Sequence, residues 1–475
     1  MRFEGSTLDP QALATAARTF AGAPLTRETL QNLANAITAV YAKSDIAFYA
    51  VSIPAQTMAG GVVTLRVVEG RIAGYTLAKQ TRSTPTTLIR AQLQPLLAEK
   101  PTHRSSLERS LSLLRDTPGQ TVKADLRRND RPDELALALD VERKQVEFTL
   151  NVNNRGVVNV TTGVQAQLGV ALNGLLREGD STRLTTSIPS QPSRYQFYSG
   201  GHTTPIGSSG TTLGFSGAYV RTRTREPEVL GDAKQFGISV SHPVIRSYKR
   251  NLTMTASFDG TNSENYFLDA AFGGFRTRTA RLGANWSVLG PKDGYAVSIS
   301  LSQGLDALGA RPTLGYSEAS YRKANLQAVG VKQLAKKVSA KLGVRGQFSQ
   351  DLLPTAERFA LGGEGAGLAY RYGVVTVDQA IAADAEVSWQ VLGSATAGRG
   401  LSLFSFADAA KGRSYARPAF GLGGQSFKIA SAGAGVRFTP IKSWSASAQL
   451  AVPLRAPGEG FSEKPRFFFS ISRTV

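Results

Sequence analysis

From about Glu147 to the carboxyl terminus, apolar and small polar residues alternate in steps of two, segment after segment, and helical spacing disappears. Tyr295, Val297, Ile299 and Leu301 alternate with Ala296, Ser298, Ser300 and Ser302, and Leu252, Met254, Ala256 and Phe258 alternate with Thr253, Thr255 and Ser257. Trp444, Ala446, Ala448, Leu450, Val452 and Leu454 keep the same step, as do Phe148-Leu150-Val152 and Phe467-Phe469-Ile471. Successive side chains of a strand point to opposite faces, so the pattern describes extended segments with one apolar and one small polar face. Such a pair of faces suits a strand with lipid outside and water inside. A soluble sandwich or propeller also alternates. Against it, the polar partners are mostly Ser, Thr, Ala and Gly, and no blade-length repeat occurs. At roughly 20 residues per strand and connection, residues 147–475 predict a transmembrane β-barrel of about 16 antiparallel strands.

Composition bounds the alternatives. No run of about 18 uncharged apolar residues exists, which excludes a helix-bundle membrane protein. The 41% apolar content and mean hydropathy of −0.14 are compatible with a barrel, whose strands average near the value of soluble proteins. Cysteine is absent, so disulfides, thiolate metal sites and cysteine nucleophiles are excluded. The three histidines, His103, His202 and His242, lie too far apart in sequence to suggest a metal cluster. The net charge of +20 is uneven: residues 1–146 carry 19 Lys+Arg against 14 Asp+Glu, and the remainder 36 against 21. A basic barrel points to anionic headgroups or a positively lined pore. Arg221, Arg223, Arg276 and Arg278 suit either, at strand ends near headgroups or facing the bore. Met1–Gly5 lacks the apolar core of a secretory signal and reads as the start of a strand, so an outer-membrane protein with this start is expected to be a processed or truncated form.

The first ~145 residues read as two α/β units in the order strand, helix, helix, strand, strand. In the first, Asp9-Pro10 starts a helix with Leu13, Ala16, Ala17 and Phe20 on one face, and Gly22 stops it. Thr26 opens a second helix through Leu30, Leu33, Ala34, Ile37 and Tyr41, and strands are expected over Ile46–Ile53 and Val62–Val68. The second unit repeats this with a strand near Ile72–Leu77, helices near Thr87–Leu97 and Ser105–Arg115, and strands Thr121–Arg127 and Glu134–Glu142. Leu107, Leu111 and Leu114 at helical spacing read as core. The expected domains are residues 1–72, 73–146 and 147–475.

Signals for catalysis are poor. Gly363-Glu364-Gly365-Ala366-Gly367-Leu368 departs from the dinucleotide pattern at Leu368 and lies outside any strand–helix–strand unit. No phosphate loop and no Ser/His/Asp grouping appears. The expectation is a chain that is no enzyme and needs no cofactor, no metal and no bound nucleotide.

Several stretches, in order along nearly the whole chain, resemble the transporters of two-partner secretion, the hemolysin secretion/activation family within the superfamily of barrels with POTRA domains. Phe3-Glu4-Gly5 and the two helices after it look like a first POTRA domain. Ile53-Pro54-Ala55-Gln56 and Val67-Val68-Glu69-Gly70-Arg71-Ile72 resemble that domain's ending. Leu107–Gly119, with Glu108 and Arg109, is similar to the second-POTRA signature, and Asn153-Asn154-Arg155-Gly156 to the start of the barrel. Leu361-Gly362-Gly363, with Gly365, Gly367 and Tyr370, resembles the tip of a loop that folds back into the pore, and Phe406–Gly412, with Asp408, the wall motif after it. Two positions depart from the family: Leu368 stands where the loop motif has arginine, leaving Arg371 as the nearest substitute, and Val475 ends the chain where an aromatic is usual.

The resemblance implies an outer-membrane transporter that exports a secreted exoprotein carrying an amino-terminal secretion domain, with its POTRA domains in the periplasm and a single barrel in the lipid. Ile53, Pro54, Gln56, Glu108 and Arg109 would contact the partner, which can add a strand to an open sheet edge. A loop near 355–378 would occlude the pore, with Arg371 pairing with Asp408 when closed. An outer-membrane assembly factor of the same superfamily and a general porin are the alternatives; a soluble nucleic-acid-binding protein fits the alternation poorly.

Overall fold

A computed structural model describes residues 1–57, 59–156, 159–161, 163–267, 270–394, 399–462 and 464–475. The chain divides into two compact units, Met1–Lys144 and Gln145–Val475.

The amino-terminal unit holds two small α/β domains. The first contains β1 (Arg2–Glu4), α1 (Pro10–Ala17), α2 (Arg27–Lys43), β2 (Tyr49–Ser52) and β3 (Thr64–Glu69), with sheet order β1-β3-β2. Asp9 caps α1 by accepting from the Gln11 amide, and Thr26 caps α2 by accepting from that of Thr29. Leu13, Leu33, Ile37, Tyr41, Leu65 and Val67 form the core. The second domain contains β4 (Arg71–Lys79), α3 (Thr86–Ala98), α4 (Arg104–Asp116), β5 (Gln120–Arg128) and β6 (Glu134–Arg143), with order β4-β6-β5. Its core gathers Ile72, Ile89, Leu93, Leu111, Leu114 and Leu139.

The strand expected over Ile46–Ile53 is shorter than its alternation suggests, because its first residues are claimed by the second domain. The Ala47 amide donates to the Thr102 carbonyl at 2.9 Å, and Asp45 accepts from the Ser105 amide at 3.0 Å and its hydroxyl at 2.5 Å. Thr102, fully buried, also accepts from the Ile72 amide at 2.8 Å. The two domains are therefore joined through their backbones rather than by a loose linker.

The second unit is a closed barrel of 16 antiparallel strands. They are β7 (Val146–Asn153), β8 (Gln165–Asn173), β9 (Ser181–Pro189), β10 (Tyr195–Ile206), β11 (Thr211–Arg223), β12 (Leu230–Arg246), β13 (Arg250–Phe267), β14 (Ala270–Leu289), β15 (Asp293–Gly304), β16 (Arg322–Ala335), β17 (Val338–Ser349), β20 (Gln379–Ser394), β21 (Arg399–Ser414), β22 (Gln425–Thr439), β23 (Trp444–Arg455) and β24 (Arg466–Thr474). A short hairpin, β18 (Phe359–Leu361) with β19 (Val375–Val377), lies between β17 and β20. Phe148, Ile238, Met254, Leu282, Trp286, Leu301, Leu342, Leu450 and Phe467 all point outward and exposed. So much exposed apolar surface marks a face that meets lipid. No helix among the described residues is long and apolar enough to cross a membrane.

The barrel closes between β24 and β7 with five paired residues, Ser470↔Asn153 to Thr474↔Thr149. Beyond the Ser470–Asn153 pair Asn154 extends the seam: its Oδ1 accepts from the Phe469 amide at 2.9 Å and its Nδ2 donates to the Phe467 carbonyl at 3.0 Å. Asn151 adds bonds to the hydroxyls of Ser470 and Ser472. Connections such as 207–210, 247–249, 290–292 and 336–337 are short at the end where β7 begins, whereas 305–321, 350–378 and 415–424 at the opposite end are long.

Candidate functional site

The connection 350–378 folds into the barrel, where Leu361, Ala366, Leu368, Ala369 and Tyr370 are buried against Ala382, Ala410, Ile429, Ala451 and Phe468 of the wall. Glycines make this approach possible. Gly362 has φ +89°, and a Cβ there would come 2.2 Å from the Arg371 carbonyl oxygen. At Gly367, with φ +108°, a Cβ would stand 2.6 Å from Cδ1 of Ile429. Only glycine satisfies both demands, a left-handed backbone and direct contact with the wall. Gly363 and Gly365 share the left-handed conformation, and the Gly363 amide closes the tip by donating to the Tyr370 carbonyl at 3.0 Å.

Asp408 of β21 holds this tip through its backbone. Its Oδ2 accepts from the Leu368 amide at 3.0 Å and its Oδ1 from the Ser431 hydroxyl at 2.6 Å. Ser431 in turn accepts from the Ala369 amide at 3.3 Å. The expected pairing of Arg371 with Asp408 is not formed. The Tyr370 amide donates to the Gly367 carbonyl at 2.9 Å, and this reversal sends Leu368 and Arg371 to different sides. Arg371 reaches the Thr161 carbonyl at 3.4 Å, with Arg225 and Arg466 as its charged neighbours. With leucine at 368, the carboxylate accepts amide hydrogens where a guanidinium was expected.

Glu364 at the tip pairs with Arg155 beyond the end of β7, whereas the buried ion pairs between loop and wall lie nearer the loop's root, at residues sequence reasoning missed. The buried Glu357 meets Arg281 of β14 at 2.7 Å and Lys323 of β16 at 2.7 Å, and Arg281 also grips Asp259 of β13 at 2.7 and 3.1 Å. Two cations and two carboxylates balance in a largely buried site, so removal of any one leaves the cluster with an uncompensated charge. Gln347 donates to the carbonyls of Glu357 and Asp378, both at 3.1 Å. Asp378, fully buried, is gripped by Arg417 at 2.9 and 3.1 Å. The signal available was a full charge in mid-strand on the small polar face, at Asp259, Arg281 and Lys323, upstream of the Glu357-Arg358 step that precedes the glycines. Further round, Arg437 grips Glu386 at 2.6 and 2.7 Å, so the bore carries both signs of charge. Arg221, Arg223, Arg276 and Arg278 are in register with outward Phe215 and Leu282, so they decorate the outer face near the long-loop end rather than the bore.

In the first α/β domain Gln56 continues the hydrogen bonding of β3 past the end of β2. Its Nε2 donates to the Thr64 carbonyl and its Oε1 accepts from the Thr64 amide, both at 2.8 Å, as a neighbouring strand would. Pro54 contributes a carbonyl to the same amide group at 3.3 Å, and Ile53 packs on the core. Replacing Gln56 by Ala should lower the unfolding free energy of this domain by about 1–3 kcal/mol, since two backbone groups lose their partner; chemical denaturation of the amino-terminal unit checks this. Glu69 likewise ties the chain start to α2, accepting from the Thr7 amide at 2.8 Å and the Tyr41 hydroxyl at 2.6 Å. Glu108 and Arg109 lie half-buried on α4. A groove of about 650 Å³ is lined by Gly74 and Tyr75 of the edge strand β4 and by Arg90, Gln94 and Leu97 of α3.

Comparison with known proteins places this architecture. The family model for the haemolysin secretion/activation protein ShlB/FhaC/HecB matches residues 135–438, and that for the POTRA domain, ShlB-type, matches residues 1–70. The heme/hemopexin transporter protein HuxB of Haemophilus influenzae is 21% identical over 482 residues, covering 97% of this chain and 84% of that protein. Among solved structures, CdiB from Escherichia coli aligns with a TM-score of 0.81 at 16% identity, covering 100% of this chain and 89% of that one. CdiB from Acinetobacter baumannii aligns at 0.70 and 17%, with the same coverage. A family match over most of the chain, on a 16-stranded barrel preceded by α/β domains, means that the chain belongs to the haemolysin secretion/activation family, the outer-membrane transporters that export exoproteins in two-partner secretion.

Proposed function

We propose that this transporter recognises its unfolded exoprotein in the periplasm through the two α/β domains and passes it through a single barrel once the loop tip leaves the wall, without nucleotide hydrolysis. Short turns face the periplasm and long loops the exterior in barrels of this kind, which orients the chain. The observation that carries the reading is the glycine-rich tip held in the bore by hydrogen bonds to Asp408 and Ser431. The tip's Leu368 and Ala369 hold the wall by one amide hydrogen bond each, and its Glu364 pairs with an arginine beyond β7, so an arriving chain can displace these contacts one by one. Recognition is assigned to the groove beside β4, where an extended segment can add its backbone to an open edge while Tyr75, Arg90 and Leu97 choose side chains. Ile53, Pro54 and Gln56 hold the first domain in shape, and the half-buried Glu108 and Arg109 of α4 offer polar groups to the partner. Charges of both signs in the bore suit a mixed-charge substrate, which then finds no strongly trapping stretch. Folding of the exported protein outside supplies the direction.

Reconstitution tests this directly. Full-length protein in liposomes, given unfolded exoprotein on the side of the α/β domains and no nucleotide, is expected to deliver it to the opposite side. An absolute requirement for ATP would defeat the reading.

A further inference from the structure

A cluster of cations on the outer face of β21–β23 has no role in the bore. Lys411 and Lys428 stand directly opposite one another across β21 and β22. Arg413 lies two residues beyond Lys411, opposite Ser426, and Arg455 of β23 pairs in register with Ala430, two residues from Lys428. Register fixes their direction: Lys411 is in line with the exposed Ile381 and in step with exposed Leu403, whereas the alternate residues Asp408, Ala410 and Ile429 are buried within the barrel. Among the described residues none of the four pairs with a carboxylate. The contrast with the opposite wall is sharp, since Arg221, Arg223 and Arg276 stand beside Asp232, Glu228 and Glu264.

Like charges directly opposite each other on a strand pair destabilise it, so an uncompensated lysine pair implies an anion from outside the chain. The cluster sits beside the long loops, level with the exposed Ile381 and beyond the outward Leu450 and Val452 of the apolar belt. We infer that Lys411, Lys428, Arg413 and Arg455 bind the phosphates of a phosphorylated glycolipid of the outer leaflet, with its acyl chains lying on that belt. A shallow, water-exposed set of flexible cations holds a small free anion poorly, but it retains a phosphate that the bilayer delivers at high local concentration. The inference rests on the membrane orientation proposed above and on no step of export.

The test uses full-length protein in neutral detergent, with binding of bisphosphorylated lipid A measured by native mass spectrometry. Combining Lys411→Gln with Lys428→Gln is expected to weaken binding by roughly 30-fold, and each single exchange by roughly fivefold. The charge-keeping pair Lys411→Arg with Lys428→Arg should bind as the parent protein does. Dephosphorylated lipid A should bind the parent and the glutamine pair equally, and millimolar inorganic phosphate should not displace the lipid. Unchanged lipid A binding by the glutamine variants, indifference to the lipid phosphates, or displacement by inorganic phosphate each overturns the site. Heat-modifiable mobility confirms that each variant forms a barrel, and exoprotein release measured in parallel reports separately on the transport reading.

Discussion

Tying the loop tip to the barrel wall by a disulfide is expected to stop export, and reduction to restore it. The chain has no cysteine, so a pair introduced at Ala369 and Ser431 is unique. The Ala369 amide lies 3.3 Å from the Ser431 hydroxyl, which brings the two positions within the span of a disulfide. Both are fully buried, so the bond should form within the closed state. If the tip has to leave the wall for an extended chain to pass, secretion by the oxidised double variant should fall at least tenfold while barrel assembly and membrane level stay unchanged. Each single cysteine serves as the control for loss of the Ser431–Asp408 hydrogen bond. Equal secretion in the oxidised and reduced states would mean that substrate passes with the tip in place, and the gate would have to be sought elsewhere.

Removing Glu357 should open the pore. Glu357→Ala leaves Lys323 without its carboxylate and Arg281 with Asp259 alone, at a cost of about 3–5 kcal/mol for breaking a buried pair from one side. The strands flanking the loop, β17 and β20, pair directly with each other, so that cost falls on the inserted loop rather than on the strand ladder. Planar-bilayer recordings should show larger and more frequent conductance steps, and cells should become sensitive to large antibiotics. Arg371→Ala should change conductance little, because Arg371 makes one long hydrogen bond to a carbonyl. The two results together discriminate between anchors: a quiet Glu357→Ala pore beside a leaky Arg371→Ala pore would restore the arginine as the lock. Exchanging charges, Glu357→Lys with Lys323→Glu, should recover part of the closure if the pair itself matters.

Asp408 shows how far motif reading carries. Its place in the wall, facing a glycine-rich loop, followed from the resemblance of Phe406–Gly412 and Leu361–Tyr370 to family motifs. Its partner did not follow, because substituting Leu368 for arginine changes which atoms fill the same space. A backbone amide can replace a guanidinium as donor, and sequence comparison registers only the lost side chain. Gln56 is a second instance. Its motif suggested a surface for the partner, whereas its amide completes the hydrogen bonding of β3.

By itself the sequence determined the crossing strands and their two faces, the helical spacing before residue 145, and the glycines that let a loop lie against a wall. These are local properties, set by alternation, capping and allowed backbone angles over a few residues. The tertiary structure alone decided which charges meet. Glu357 finds Arg281 across 76 positions and Arg417 finds Asp378 across 39, contacts that exist only once the strands have closed in one register and the loop has entered the bore. A one-residue slip of register would turn Arg281 and Asp259 toward lipid, so their pairing depends on the closed barrel.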